Sequence, residues 1–192
     1  MFAQQKKKNF SNKKKCPQLK VGHYFYFFRF LKFFCCHCNH HSNYIELKAD
    51  KIKFKNDPIK CVEIANLLGY KFRESGHYND AMDEHMEAIM ICNTKIKNST
   101  INRELEAITR RALGECYSEM NQHDDALQQH ELYLRLTLQI NDPIEIQRAH
   151  ATIGRTYLLW GQEESSSSLD EKNNLMKKAE YSFHKAMDLC EK

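Results

Sequence analysis

The 192-residue chain carries a formal net charge of +4, with 28% charged and 42% hydrophobic residues. A chain of this size buries one ordinary core or a short run of stacked repeats. Its charge is divided: residues 1–45 hold eight Lys, one Arg and no acidic residue, giving +9, and the rest carries −5. The mildly acidic larger part offers no bulk field for nucleic acid. Eight cysteines without a secreted-type spacing framework point to a reducing compartment.

Residues 1–45 read as a basic, aromatic leader, expected to be unstructured or an artefact of mistaken translation. Its lysine triplets at 6–8 and 13–15 suit a nuclear import signal, weighed against plain solvated charge. The aromatic run from His23 to Phe34 is broken by Arg29 and Lys32, and no small-residue cleavage site follows it. That argues against a membrane span or secretory signal. Cys35, Cys38, His40 and His41 are ligand types that suit zinc, but their crowding leaves little loop to wrap a tetrahedron. No metal is expected.

From residue 46 to 192 one pattern recurs three times, over about 57–96, 102–140 and 142–191. Each copy opens on a capping residue (Asp57, Asn102, Asp142), with Pro58 and Pro143 suited to a first helical position. Glu145 completes a capping-box spacing with Asp142. Apolar residues then follow at helical spacing to a glycine: Gly69, Gly114 and Gly154. A turn and a second helix follow, led by Ala81, Ala126 and Ala179. A mid-helix glycine costs about 1 kcal/mol relative to alanine, so its recurrence implies close packing, with those alanines as the matching small surface. His85 and His130 follow their alanines by four residues, and equivalent places in successive repeats imply packing, not metal or catalysis. Trp160, Met82, Met86 and Met90 sit on helical stripes and read as core, not as a cofactor box. The third copy carries an insertion from Gly161 to about Asn173 with a run of four serines, expected to be a flexible linker.

Self-similarity at this period predicts an all-α solenoid of about three helix pairs. The first helices would line a concave peptide groove. Helical geometry places Glu63, Asn66, Tyr70 and Arg73 there, then Arg111, Glu115 and Ser118, then Arg148, Ala151 and Arg155. Such arginines suit bidentate bonds to acidic or extended peptides or helices. No phosphate loop, nucleophile elbow or paired-carboxylate constellation occurs, so neither an enzyme nor a cofactor is expected. Leu175, Phe183 and Leu189 on the last helix are expected not all to face inward without a following repeat. A fragment of a longer array that self-associates through this end is therefore expected.

Leu-Gly-x-x-aromatic with a later alanine resembles the tetratricopeptide repeat. The glycines here lie 45 and 40 residues apart, beyond the usual spacing of about 34. The segment Ile146–Leu158, with Ala126–His130 and Gly76–His85, resembles the N-terminal repeats of the Tonsoku-like family. That resemblance implies a nuclear scaffold for homologous recombination at damaged replication forks and for chromatin maintenance. The alternative is a cytoplasmic or cortical adaptor of the Pins/LGN type. That group favours Asn just after the glycine, where this chain has Tyr70, Glu115 and Arg155. A co-chaperone tail clamp is excluded by Asn66, Tyr70, Ala112, Arg148 and Thr152 at its basic and amide positions, of which only Arg148 would serve. Protein partners are expected, with no direct nucleic acid and no membrane.

Overall fold

The computed structural model describes residues 44–96, 99–163 and 168–189. The readings placed on residues 1–43, including the lysine triplets and the Cys35/Cys38/His40/His41 cluster, lie outside the described residues. So does the serine run as far as residue 167.

The described residues form seven α-helices and no strand: α1 (Tyr44–Lys53), α2 (Pro58–Glu74), α3 (Tyr78–Lys95), α4 (Thr100–Glu119), α5 (His123–Ile140), α6 (Pro143–Gln162) and α7 (Leu169–Asp188). Local chemistry sets their ends. Asp57 caps α2 by accepting the Lys60 N–H, and Pro58 supplies the first helical residue. Asp142 caps α6 by accepting from Ile144 and Glu145. Three short exits use left-handed residues: Gly76 (φ 77°), Asn121 (φ 59°) and Asn141 (φ 60°), where Gly or Asn bears the conformation at least cost.

Four expectations need correction. Ser99, not Asn102, caps α4 by accepting the Asn102 N–H, and Asn102 itself is buried one turn inside. Glu145 does not close a capping box: its carboxylate accepts from the Tyr133 hydroxyl and from Arg148. The described ends of the insertion are helical, because α6 runs to Gln162 and α7 starts at Leu169 behind the Ser168 cap. Leu175 and Phe183 are buried within this chain and Leu189 is half-buried, so none of them requires a further repeat to cover it. The apolar residues that α7 leaves exposed are Leu169 and Tyr181.

The helices pair as α2/α3, α4/α5 and α6/α7, and each pair stacks on the next through α3–α4 and α5–α6. This is a tetratricopeptide-repeat solenoid of three helix pairs, preceded by one additional helix. Its core is a chain of small clusters and not one centre. Leu47 of α1 meets Ile64 and Leu68. Cys61, Val62 and Ala65 meet Ala88, Ile91 and Cys92. Tyr133 bridges Ala107 and Ala149 across two repeats.

Candidate functional site

The three mid-helix glycines each face a ring on the partner helix. A Cβ on Gly69 would stand 2.5 Å from His85 Cε1, one on Gly114 2.5 Å from His130 Cε1, and one on Gly154 2.8 Å from Phe183 Cε1. The side chain that fills the space beside each glycine is therefore the ring, not the alanine four residues earlier. Ala81, Ala126 and Ala179 are buried on the same second helices.

His85 also anchors a polar relay between repeats. Asn66 Nδ2 donates to Thr109 Oγ1 (2.8 Å), and Thr109 Oγ1 donates to the Leu105 carbonyl (2.7 Å). That leaves Asn66 Oδ1 to accept from His85 Nδ1 at 2.9 Å, so Nε2 of the neutral ring is the unprotonated nitrogen. Burial, then the Arg73 charge, pushes the His85 pKa down to about 4. Burial lowers His130 to about 4 as well, with Arg111 and Arg155 adding to the shift against Glu115. Both rings are locked, neutral packing elements.

The residues expected to form a groove are divided by the structure. Arg73 of α2 pairs with Glu115 of α4, and Arg155 of α6 pairs with Glu119 of α4 at 3.3 Å. Arg148 pairs with Glu145 within α6. Burial works against the Glu115 charge, but Arg73 and Arg111 outweigh it and hold the carboxyl below its usual range. Asn66 is buried in the relay, and Ser118 meets Thr156 at 3.3 Å. Tyr70 lies edge-on to His85 with Arg73 over its ring. Arg73, Arg155, Asn66 and Ser118 thus join first helix to first helix, a seam more than an open grip.

The sequence reading missed what that row does expose. Ile59, Ile101 and Ile144 occupy the second residue of α2, α4 and α6, and Ile101 and Ile144 are 53% and 64% exposed. Ile108, two turns after Ile101 on the same face of α4, is also exposed. The recurrence of isoleucine two residues after each true cap was the available signal. Taking Asn102 as the cap of α4 hid it. The methionines need a similar correction: Met86 and Met90 are exposed and Met82 half-buried. Trp160 is half-buried and stacks on His123 at 5.8 Å, and His123 Nε2 lies 2.8 Å from Glu163 Oε1.

Among the described residues, no group of three or more His, Cys, Asp or Glu could hold a metal ion, and no helix is long and apolar enough to cross a membrane.

No protein-family profile matches the chain. Tonsoku-like protein of Drosophila melanogaster is 32% identical to it over 123 residues, 64% of the chain. The chain is similar to Tonsoku-like protein. The Bos taurus and Mus musculus Tonsoku-like proteins are each 30% identical, over 117 and 106 residues, 60% and 55% of the chain. The chain spans about 8% of the length of the fly and cattle proteins and 7% of the mouse protein. A solved structure titled "Crystal structure of MamA" aligns over 76% of this chain and 87% of its own at 24% identity. Its TM-score of 0.33 is too low to bear on fold or function.

Proposed function

We propose that the chain is a non-enzymatic protein-interaction scaffold. Its first helices α2, α4 and α6 receive a segment of a partner protein along the exposed isoleucine row. Its role, following the likeness to Tonsoku-like protein, is in nuclear repair of replication forks by homologous recombination and in chromatin maintenance.

The observation that carries the docking reading is the exposure of Ile59, Ile101 and Ile144 at the second position of the three first helices, with Ile108 two turns further along α4. The surface these isoleucines leave in water, from 37% of Ile59 to 64% of Ile144, is available for a partner to bury, at about 1 kcal/mol for each side chain covered. The arginines act differently from the sequence expectation. An acidic segment would have to displace Glu115 or Glu119 to reach Arg73 or Arg155, so apolar contact supplies the affinity and the seam supplies a rigid support. An extended or helical segment with regularly spaced apolar side chains suits such a row.

The test compares the full chain with its Ile101→Glu/Ile108→Glu variant in a pull-down from nuclear extract, with partners identified by mass spectrometry. Loss of specific partners at an unchanged melting temperature supports the groove. Retention of every partner by a folded variant overturns it. For the cellular role, accumulation of the tagged chain at stalled forks supports the nuclear reading, and accumulation at the cell cortex favours the Pins/LGN-type adaptor.

A further inference from the structure

Among the described serines and threonines, only Ser168 has an acidic residue three places after it, in Ser168-Leu169-Asp170-Glu171. The other exposed ones, Ser75, Thr94 and Thr100, have Tyr78, Lys97 and Arg103 at that place. A hydroxyl followed at this spacing by a carboxylate is a charge pattern by which acid-directed protein kinases choose their substrates. So short a motif recurs by chance, and the setting of Ser168 decides whether it can be used.

A kinase of this class holds its substrate extended, with the acceptor and the third following residue about 10 Å apart, roughly twice their separation along a helix. The first turn of α7 therefore has to unwind onto the enzyme, and its packing does not resist. Ser168 itself already has an extended backbone (φ −52°, ψ 154°). Leu169 is 75% exposed, no residue from Ser168 to Asn174 is buried, and Leu175 is the first that is. Where α7 meets Gly161 of α6, the contacts come from Lys172, Leu175 and Met176, all beyond that turn. The cap holding the turn is weak, because the Glu171 N–H reaches Ser168 Oγ only at 3.4 Å, longer than a typical N–H···O bond. Unwinding here costs the cap and no core contact.

We propose that Ser168 is a modification site, phosphorylated by an acid-directed protein kinase, and that the phosphate fastens the start of α7. Ser168 Oγ attacks the γ-phosphorus of ATP, and the Oγ–P bond forms as the bond from phosphorus to the bridging oxygen breaks. ADP leaves with that electron pair, and the hydroxyl proton passes to the base of the kinase. On release the turn rewinds with a charged acceptor in place of a neutral one, at the positive end of the helix. Its oxygens accept the Asp170 and Glu171 N–H groups more strongly than the hydroxyl does. The Asp170 and Glu171 carboxylates oppose this. Both residues are exposed, so water and salt screen the repulsion, while the helix fixes the N–H groups in place.

In the test, the full chain is incubated with a purified acid-directed kinase and ATP, and phosphate is located by fragment-ion mass spectrometry. A phosphate on Ser168 is the expected result. Its rate of addition should fall about tenfold in Asp170→Asn/Glu171→Gln, through loss of charge-assisted contacts to the kinase, and stay near that of the unchanged chain in Glu171→Asp. These variants alter only exposed side chains, so they retain the fold, which circular dichroism checks. After labelling, amide exchange across residues 169–174 should slow while exchange across 143–162 stays the same. No label, label confined to other serines, or a rate indifferent to the two carboxylates overturns the site. Exchange across 169–174 that is unchanged or faster after labelling overturns the fastening of α7.

Discussion

Gly69 and Gly114 are coupled to one ring each, so their substitutions should not behave like ordinary helix glycines. Alanine gains about 1 kcal/mol of helix propensity, but its Cβ would stand 2.5 Å from a buried imidazole, and overpacking of that kind costs about 1–3 kcal/mol. Gly69→Ala is therefore expected to destabilise the chain. In a Gly69→Ala/His85→Ala double-mutant cycle measured by urea denaturation, the glycine change should cost less once the ring is gone. Equal cost in both backgrounds would remove the ring from the explanation. The same rings give a pH dependence. His85 and His130 titrate near 4 in the folded chain against the ordinary 6.5, so the unfolded state binds more protons between those values. The neutral-ring contribution is fully present above about pH 6.5 and is lost as pH falls toward 4, by roughly 3 kcal/mol per ring. Melting at pH 7, 5.5 and 4.5 checks this, and the drop should shrink in a His130→Phe variant if the packing tolerates that ring.

Helix ends show where sequence reading succeeds and where it stops. Asp57 and Asp142 were legible because an acidic cap followed by proline has one favoured local use, and the structure places both as caps. Asn102 was misread because Ser99 and Asn102 are both good caps three residues apart. Burial decided between them, and burial is a property of the stack, not of the segment. Ser99→Ala is expected to cost about 1 kcal/mol through the lost bond to the Asn102 N–H, seen as a lower denaturation midpoint at unchanged slope. A similar limit hid the arginine pairs. Helical geometry correctly put Arg73, Glu115 and Arg155 on neighbouring first helices, but only the spacing between helices turned them into partners for one another. The isoleucines were visible as letters throughout. Their exposure was not, because an apolar residue at helical spacing reads equally well as core.

At the scale of the whole molecule, stability is a sum of helix pairs and of the contacts joining each to the next. Among the described residues, Tyr133 is the largest fully buried side chain. It sits between Ala107 and Ala149, and its hydroxyl donates to Glu145 of the following repeat. Burial, joined by that bond to a carboxylate, drives its own ionisation far above the ordinary range, so the hydroxyl stays a donor at any working pH. Tyr133→Phe keeps the ring and removes only the bond, and Glu145 retains Arg148. The expected loss is therefore about 1–2 kcal/mol, not the larger penalty of an orphaned buried charge. Its location matters more than its size. The lost term belongs to the junction of the second and third repeats, so native-state hydrogen exchange should show α6 and α7 opening more easily while α2 and α3 keep their protection. A uniform fall across all helices would mean instead that the three repeats unfold as one cooperative body, with no separable junction for Tyr133 to hold.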